Sequence, residues 1–247
     1  KALIAAGKRA HAMRTSRPFG IAPVVPEIDW KAVKGHVQGV IAAIAPNDSV
    51  ERFTGLGVKV IQAAGRFVDA STVAAGEHRI KAHRFVIATG SSPVVPPIPG
   101  LDGVPYFTNE TIFDNANRID HLIVIGGGPI GMELAQAHLR LGAKVTVVEG
   151  LKALGKDDPE LTALVLESLR EEGLVIREGA MVEQVEGRAG AVRVTVAVDG
   201  RTETVDGTHL LLAVGRKPNI ADLGLEAAGI AYEKRGIAVD GGLLTSN

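Results

Sequence analysis

The chain has 247 residues, 46% of them hydrophobic, with 27 basic against 28 acidic side chains and a formal net charge of −1. That near balance gives no electrostatic reason to expect nucleic acid or an anionic membrane as partner. No apolar run approaches the roughly 20 residues of a spanning helix. With no cysteine, disulfides, thiolate metal sites and thiol catalysis by these residues are excluded. No signal peptide is visible, and a cytoplasmic chain is expected.

The opening "KALIAAGKRAHAMR" predicts a helix with Leu3, Gly7 and Ala10 or Met13 on one side. The prolines of "SRPFGIAPVVPE" break it. Asp29 is expected to cap a second helix whose Val33, Val37, Val40, Ile41 and Ile44 form one apolar stripe, with Pro46 ending or kinking it. Short strands follow, with a hairpin around Gly76 and an apolar strand from Phe85 to Thr89. The cluster "SPVVPPIPG" reads as an extended connector, because proline fixes φ and cannot donate to a ladder.

The stretch "HLIVIGGGPIGMELAQAHLRLGAKVTVVEG" is the most informative. Leu122 to Ile125 are consecutively apolar, as in a strand buried on both faces. Pro129 suits a first helical turn, and Ile130, Leu134, Ala137 and Leu141 mark the buried face that follows. "KVTVVE" supplies a second parallel strand. Asp157 or Asp158 caps another helix, with Leu161, Leu164, Val165 and Leu169 expected on its core side. "REE", Arg170 to Glu172, reads as a solvated helix end. In "AVRVTVAVDGRTETV" the valines 192, 194, 196 and 198 alternate before an Asp199-Gly200 hairpin turn.

Gly126-x-Gly128-x-x-Gly131 lies between strand and helix, the context that gives this motif its meaning. Gly126 permits the turn, Gly128 admits a pyrophosphate to the backbone, and Gly131 lets helix and strand pack closely. Pro129 and Ile130 sit at the helix N-terminus, whose N–H groups and partial positive charge favour phosphate. Glu149 closes the second strand about 20 residues on, where a carboxylate accepts both ribose hydroxyls and repels a 2′-phosphate. NAD(H) is therefore expected in preference to NADP(H). Small-molecule dinucleotides are the expected partners. The seven histidines show no close pairing of the kind a metal site needs, so no metal is expected. Ser91-Ser92 lacks the spacing of a nucleophile elbow.

"VIATGSSP" (Val86 to Pro93) and "LLAVGRKP" (Leu211 to Pro218) end alike, with Ala88, Gly90 and Pro93 matching Ala213, Gly215 and Pro218. Two modules of similar topology explain this economically; chance convergence is the alternative. The chain opens on Lys1, directly into a helical pattern, and stops at "LLTSN". An internal piece of a longer protein is expected.

Together, "VIATGSSPVVPPIPG", "IVIGGGPIGMELAQAHLRLGAKVTVVE" and "AVGRKPN" resemble the pyridine nucleotide-disulfide oxidoreductases, of dihydrolipoamide dehydrogenase or mercuric reductase type. The resemblance implies an α/β fold of two Rossmann-like modules, for FAD and for NAD(P)H, with a three-layer sandwich and an antiparallel meander, the FAD module incomplete. Residues 1–117 would be a partial FAD-binding domain lacking its own glycine loop and redox disulfide. Residues 118–216 would be the NAD-binding domain, and 217–247 the truncated returning FAD segment.

In such enzymes the nicotinamide reduces the flavin, which reduces a disulfide that handles the substrate. The resemblance places Lys1 near the flavin, with Glu133 as its carboxylate partner beside the nicotinamide, both catalytic. Ala88, Thr89 and Gly90 would pass the FAD, and Gly215 and Arg216 would lie on the NAD side. The parent protein would be a homodimer. The chain by itself is expected to bind NADH without holding FAD or turning over, and to self-associate through the unpaired Phe85–Thr89 edge. A free-standing NAD-binding or redox-sensing module is the alternative. The final electron acceptor stays open between lipoamide, mercuric ion and others.

Overall fold

The computed structural model describes residues 1–247. Three helices come first: α1 (Ala2–Arg14), α2 (Trp30–Ile44) and α3 (Val50–Gly55). Strands β1 (Gly65–Asp69), β2 (Thr72–Ala75), β3 (His78–Lys81) and β4 (Ser91–Pro93) follow. Next come β5 (His121–Ile125), α4 (Pro129–Arg140), β6 (Lys144–Val148), α5 (Pro159–Glu171) and β7 (Val175–Arg177). Strands β8 (Met181–Arg188), β9 (Ala191–Val198), β10 (Arg201–Gly207), β11 (His209–Leu212) and β12 (Arg216–Pro218) lead to a last small hairpin, β13 (Tyr232–Glu233) and β14 (Gly236–Ile237).

Packing divides the chain into two compact units: residues 1–43 with 93–215, and residues 44–92 with 216–247. The motif-based partition at 117 and 216 follows chain segments. The packing partition differs from it because α1 docks on α4 and because residues 93–117 pack on the same unit, Leu101 and Val104 in its core and Phe107 bonded to β11. A Cβ on Gly7 would lie 2.9 Å from the Ala137 carbonyl oxygen, so this helix crossing requires glycine. Leu3, Gly7 and Ala10 are buried as the helical pattern predicts, and Met13 is exposed.

The first unit is built on a four-stranded sheet ordered β11-β5-β6-β7, with every adjacent pair parallel. Parallel strands covered on both faces must be apolar throughout. Leu122, Val124, Val145 and Val147 face one core with Met132, Leu134, Ala135 and Ala137 of α4 and Leu3 of α1. Ile123, Ile125 and Val148 face the other, with Val192, Val194 and Val196 of β9. β9 is the centre of an antiparallel sheet ordered β10-β9-β8. The result is helices, parallel sheet and meander in three layers. Asp199 and Gly200 both have positive φ, 49° and 76°, the twisted two-residue turn that an Asp-Gly pair favours.

Two apolar stripes are less buried than their periodicity predicts. Asp29 caps α2 as expected, its Oδ1 accepting the Ala32 N–H at 3.0 Å, yet Val37 alone is fully buried while Val40, Ile41 and Ile44 stand exposed. In α5 the core reaches only Leu166 and Leu169. Leu161 and Leu164 are 65% and 63% exposed, and Val165 is exposed as well. Periodicity identifies an apolar face but not how far its covering layer extends. Here only the last turns of α5 meet the core.

The second unit holds the antiparallel sheet β1-β2-β3, whose Phe67 packs with Leu225, Ala228 and Ile230. Residues 85–89, expected as a strand, form none. Phe85 and Ile87 still pack inward, Phe85 edge-on to Phe67 at 5.2 Å, while Val86 is 91% exposed. The side chains alternate as in a strand. A strand also needs a paired backbone, and no neighbour in this unit supplies one.

Three histidines in and against the parallel sheet are expected to make the fold sensitive to acid. His138 of α4 is only 2% exposed, stacked with Trp30 and holding its Nδ1 2.8 Å from the Leu134 carbonyl oxygen. Burial pushes its pKa below the usual 6.5, with His209 adding to the effect and the Leu134 carbonyl opposing it. His121 is lowered by burial and by Lys144 against the Asp206 backbone, and His209 by burial against Asp120. A depressed folded-state pKa means the unfolded chain binds more protons at acid pH. The stability from neutral histidine is complete above about pH 6.5 and lost as pH falls, by at most about 1.4 kcal/mol per pH unit for the buried His138 and by less for the half-exposed His121 and His209, which solvent screens. Urea midpoints should therefore drop between pH 7.5 and pH 5.5, and His138→Gln should flatten that dependence. An unaltered slope would show that His138 is not the sensor.

Candidate functional site

β5 ends at Ile125 and delivers the chain into Gly126, whose φ of 110° suits glycine. A Cβ at Gly126 would lie 2.4 Å from the Ala213 carbonyl oxygen, and one at Gly131 would lie 2.1 Å from the Gly126 carbonyl oxygen. These two glycines are hemmed in by backbone. Gly128 is the opposite case: a Cβ there would meet nothing within 4 Å. The loop thus keeps an opening at its second glycine, directly before α4. Gly128 is the N-cap of that helix, Pro129 stands in its first turn, and no side chain caps it. The first-turn N–H groups have no intrahelical acceptor, and no acidic side chain sits in that turn. Open space, free donors and a positive dipole end fit a pyrophosphate. Ile130 is half-buried beside the opening.

Glu149 follows β6. Its Oε2 accepts the Gly127 N–H at 2.7 Å and its Oε1 accepts the Leu151 N–H at 2.9 Å. The carboxylate is thereby clamped to the glycine loop itself, and it keeps further lone pairs for a ribose. Lys152, one residue past Leu151, is exposed.

The repeated Ala-x-Gly-x-x-Pro endings meet each other, although only the second follows a strand, β11. Gly90 and Gly215 both have positive φ, 71° and 123°, and β4 pairs with β12 directly after them. Arg216 donates from Nε to Ser91 Oγ at 2.8 Å and also to the Ser91 carbonyl. Thr89 donates its hydroxyl to the Asn219 carbonyl at 2.6 Å, and Asn219 Nδ2 donates to the Thr89 carbonyl at 3.0 Å. Ser92 Oγ lies 2.8 Å from Asn219 Oδ1, and the Asn219 N–H donates to the Gly90 carbonyl. Ala88 is exposed. Asn219 therefore organises the segment that carries Ala88, Thr89 and Gly90. The sequence signal for this role is an amide directly after the repeated proline, in "AVGRKPN".

Lys1 lies at the N-terminus of α1 and Glu133 is exposed on α4. No ion pair joins them; the pairs formed lie elsewhere.

The whole chain matches a sequence family. Residues 1–247 match the family described as pyridine nucleotide-disulphide oxidoreductase. The chain is 33% identical over 249 residues to the mercuric reductase of Bacillus cereus, covering 100% of this chain and 40% of that protein. To the dihydrolipoyl dehydrogenase of Geobacillus stearothermophilus it is also 33% identical, covering 96% of this chain and 51% of the relative. Among solved structures, the HOCl-induced flavoprotein disulfide reductase RclA of Escherichia coli superposes with a TM-score of 0.81 at 26% identity, over 100% of this chain and 53% of that one. LpdA of Mycobacterium tuberculosis gives 0.82 at 29% identity, over 97% and 53%. The chain thus spans about half the length of these relatives.

Proposed function

The chain belongs to the pyridine nucleotide-disulphide oxidoreductase family, flavin-dependent enzymes that use a pyridine nucleotide, and from that premise we propose that its glycine loop binds NAD(H) for hydride exchange with FAD. The observation that carries this reading is the Glu149 carboxylate held against Gly127 beside the open approach to the backbone at Gly128. Backbone N–H groups at the start of α4 hold the pyrophosphate, and Glu149 takes the adenosine ribose. Its negative charge repels a 2′-phosphate, so NADH is preferred over NADPH.

Bound flavin would take a hydride from the nicotinamide and hand electrons to a redox disulfide of the parent protein. In that proposal Ala88, Thr89 and Gly90 line the flavin, Gly215 and Arg216 lie toward the NAD side, and Lys1 and Glu133 serve the reacting rings. Residues 118–216 act as the NAD-binding domain, flanked by the two FAD segments. A homodimeric parent and self-association through the unpaired segment Phe85 to Thr89 belong to the same proposal. Relatives named for mercuric ion, dihydrolipoyl groups and disulfides leave the final acceptor open among such species.

Calorimetric titration tests the nucleotide assignment. NADH should bind at least about tenfold more tightly than NADPH. Glu149→Gln keeps an acceptor for the Gly127 N–H but removes the charge, so it should narrow the preference mainly by improving NADPH. Tighter binding of NADPH by the unsubstituted protein would overturn the assignment.

A further inference from the structure

The nucleotide loop is held from behind by a side chain with no place in the family fingerprint. Glu178 lies just past β7. Its Oε1 accepts the Ala153 N–H at 3.0 Å, and its Oε2 accepts from Arg170 Nη2 of α5 at 2.8 Å. Ala153 is buried, and Glu178 Oε1 is the protein acceptor of its N–H. The next residue, Leu154, has a φ of 53°, a left-handed conformation that a leucine adopts only when its surroundings impose it. From there the Leu154 N–H donates to the Gly127 carbonyl at 2.9 Å. Gly127 is therefore gripped twice, at its N–H by Glu149 and at its carbonyl by Leu154. The Ala153 Cβ closes the remaining side, 3.2 Å from where a Gly127 Cβ would stand.

We infer that Glu178 is a positioning residue for the nucleotide site: by anchoring Ala153 it imposes the Leu154 turn, which sets the Gly127 peptide and with it the Glu149 carboxylate. The inference rests on the NAD(H) reading of the loop. Arg170 restrains the Glu178 carboxylate, so the relay runs from α5 through Glu178 and residues 153–154 to the glycine loop. Its consequence is for selectivity as well as affinity. A slack Gly127 peptide weakens the pyrophosphate cradle, and a Glu149 without its fixed partner discriminates less against a 2′-phosphate.

The test is calorimetric titration of the purified protein with NADH and NADPH, well below the melting temperature of each variant. Glu178→Ala should weaken NADH about tenfold, the scale of one unsatisfied buried donor, and shrink the NADH-to-NADPH ratio. Glu178→Gln keeps an oxygen for Ala153 and should stay within about threefold of the original protein. A merely structural role would lower the melting temperature without changing that ratio. A Glu178→Ala protein with original affinity and selectivity overturns the inference, as does a Glu178→Gln protein as impaired as Glu178→Ala. Should Glu178→Ala fail to fold, Arg170→Met decides: about threefold weaker NADH supports the relay, and unchanged affinity overturns it. If the unsubstituted protein binds neither nucleotide, the NAD(H) reading itself fails, and this inference falls with it.

Discussion

Gly131→Ala should abolish NADH binding and lower the melting temperature together, whereas Gly128→Ala should remove binding and leave stability nearly intact. The contrast follows from what each new methyl group would meet. At position 131 it would lie 2.1 Å from the Gly126 carbonyl oxygen and 3.3 Å from the Ala213 Cβ. Backbone cannot step aside as a flexible side chain can, so the start of α4 must separate from the end of β5. The joint between them carries Ile125, Met132 and Ala135, all buried. Overpacking of this kind costs about 1–3 kcal/mol, and the N–H groups proposed to cradle the phosphates move with the helix. At position 128 φ is −75° and ψ 177°, a conformation any residue adopts, and the methyl group enters empty space. Alanine is only a slightly poorer cap than glycine there, by about 1 kcal/mol or less. The space it fills is that proposed for the pyrophosphate, so NADH affinity should fall at least a hundredfold. Paired calorimetry and thermal melts separate the two cases. A Gly128→Ala protein that binds NADH normally would mean the opening is not the phosphate site.

The second large effect is expected at Glu172, where the charged "REE" run proves less solvated than its composition suggests. The Glu172 side chain is 11% exposed and that of Arg140 18%. Arg140 donates from Nε at 2.7 Å and from Nη2 at 2.6 Å, a two-pronged grip, and Gln136 Nε2 adds a third bond at 2.9 Å. His11 Nδ1 of α1 stands 3.8 Å away. Burial works to raise the Glu172 pKa, but the hydrogen bonds and charge of Arg140, with Gln136 and His11, bring it below its usual value. The cluster ties together α1, α4 and the end of α5. Glu172→Ala leaves Arg140 without its counter-charge in a mostly enclosed place. Loss of one partner of a fully buried pair costs about 3–5 kcal/mol; with the residual exposure here, about 2–3 kcal/mol is expected, or roughly 5–10 °C in melting temperature. Arg140→Met combined with Glu172→Leu should recover much of that loss, because the desolvation penalty disappears with both charges. Denaturant titration of the single and double variants checks this. A double variant less stable than Glu172→Ala would contradict it.

Much of the site was legible because its parts are close in sequence and each obeys a local rule. The run Leu122 to Ile125, the three spaced glycines, Pro129 and Glu149 specify strand, loop, helix start and acid within one short βαβ unit. The Asp199-Gly200 turn is local in the same sense, as are the Asp158 cap of α5 and the Asp29 cap of α2. What failed or went unseen depends on partners far along the chain. The segment Phe85 to Thr89 has a strand's side-chain alternation but no backbone neighbour. The apolar positions Leu161, Leu164 and Val165 repeat at helical spacing where no layer covers them. Glu172 and Glu178 carry no motif, and the place of Asn219 in "AVGRKPN" does not reveal its bonds to Thr89, Gly90 and Ser92.

The glycine loop proposed to hold the nucleotide and the acid clamped to it are thus readable from short stretches of chain, because sterics and hydrogen-bond valence act locally. The docking of α1 on α4 through Gly7, the enclosure of Glu172 and the place of Glu178 behind Ala153 emerge only in the folded chain. Those outcomes depend on which distant surfaces meet, and neither periodicity nor spacing records that.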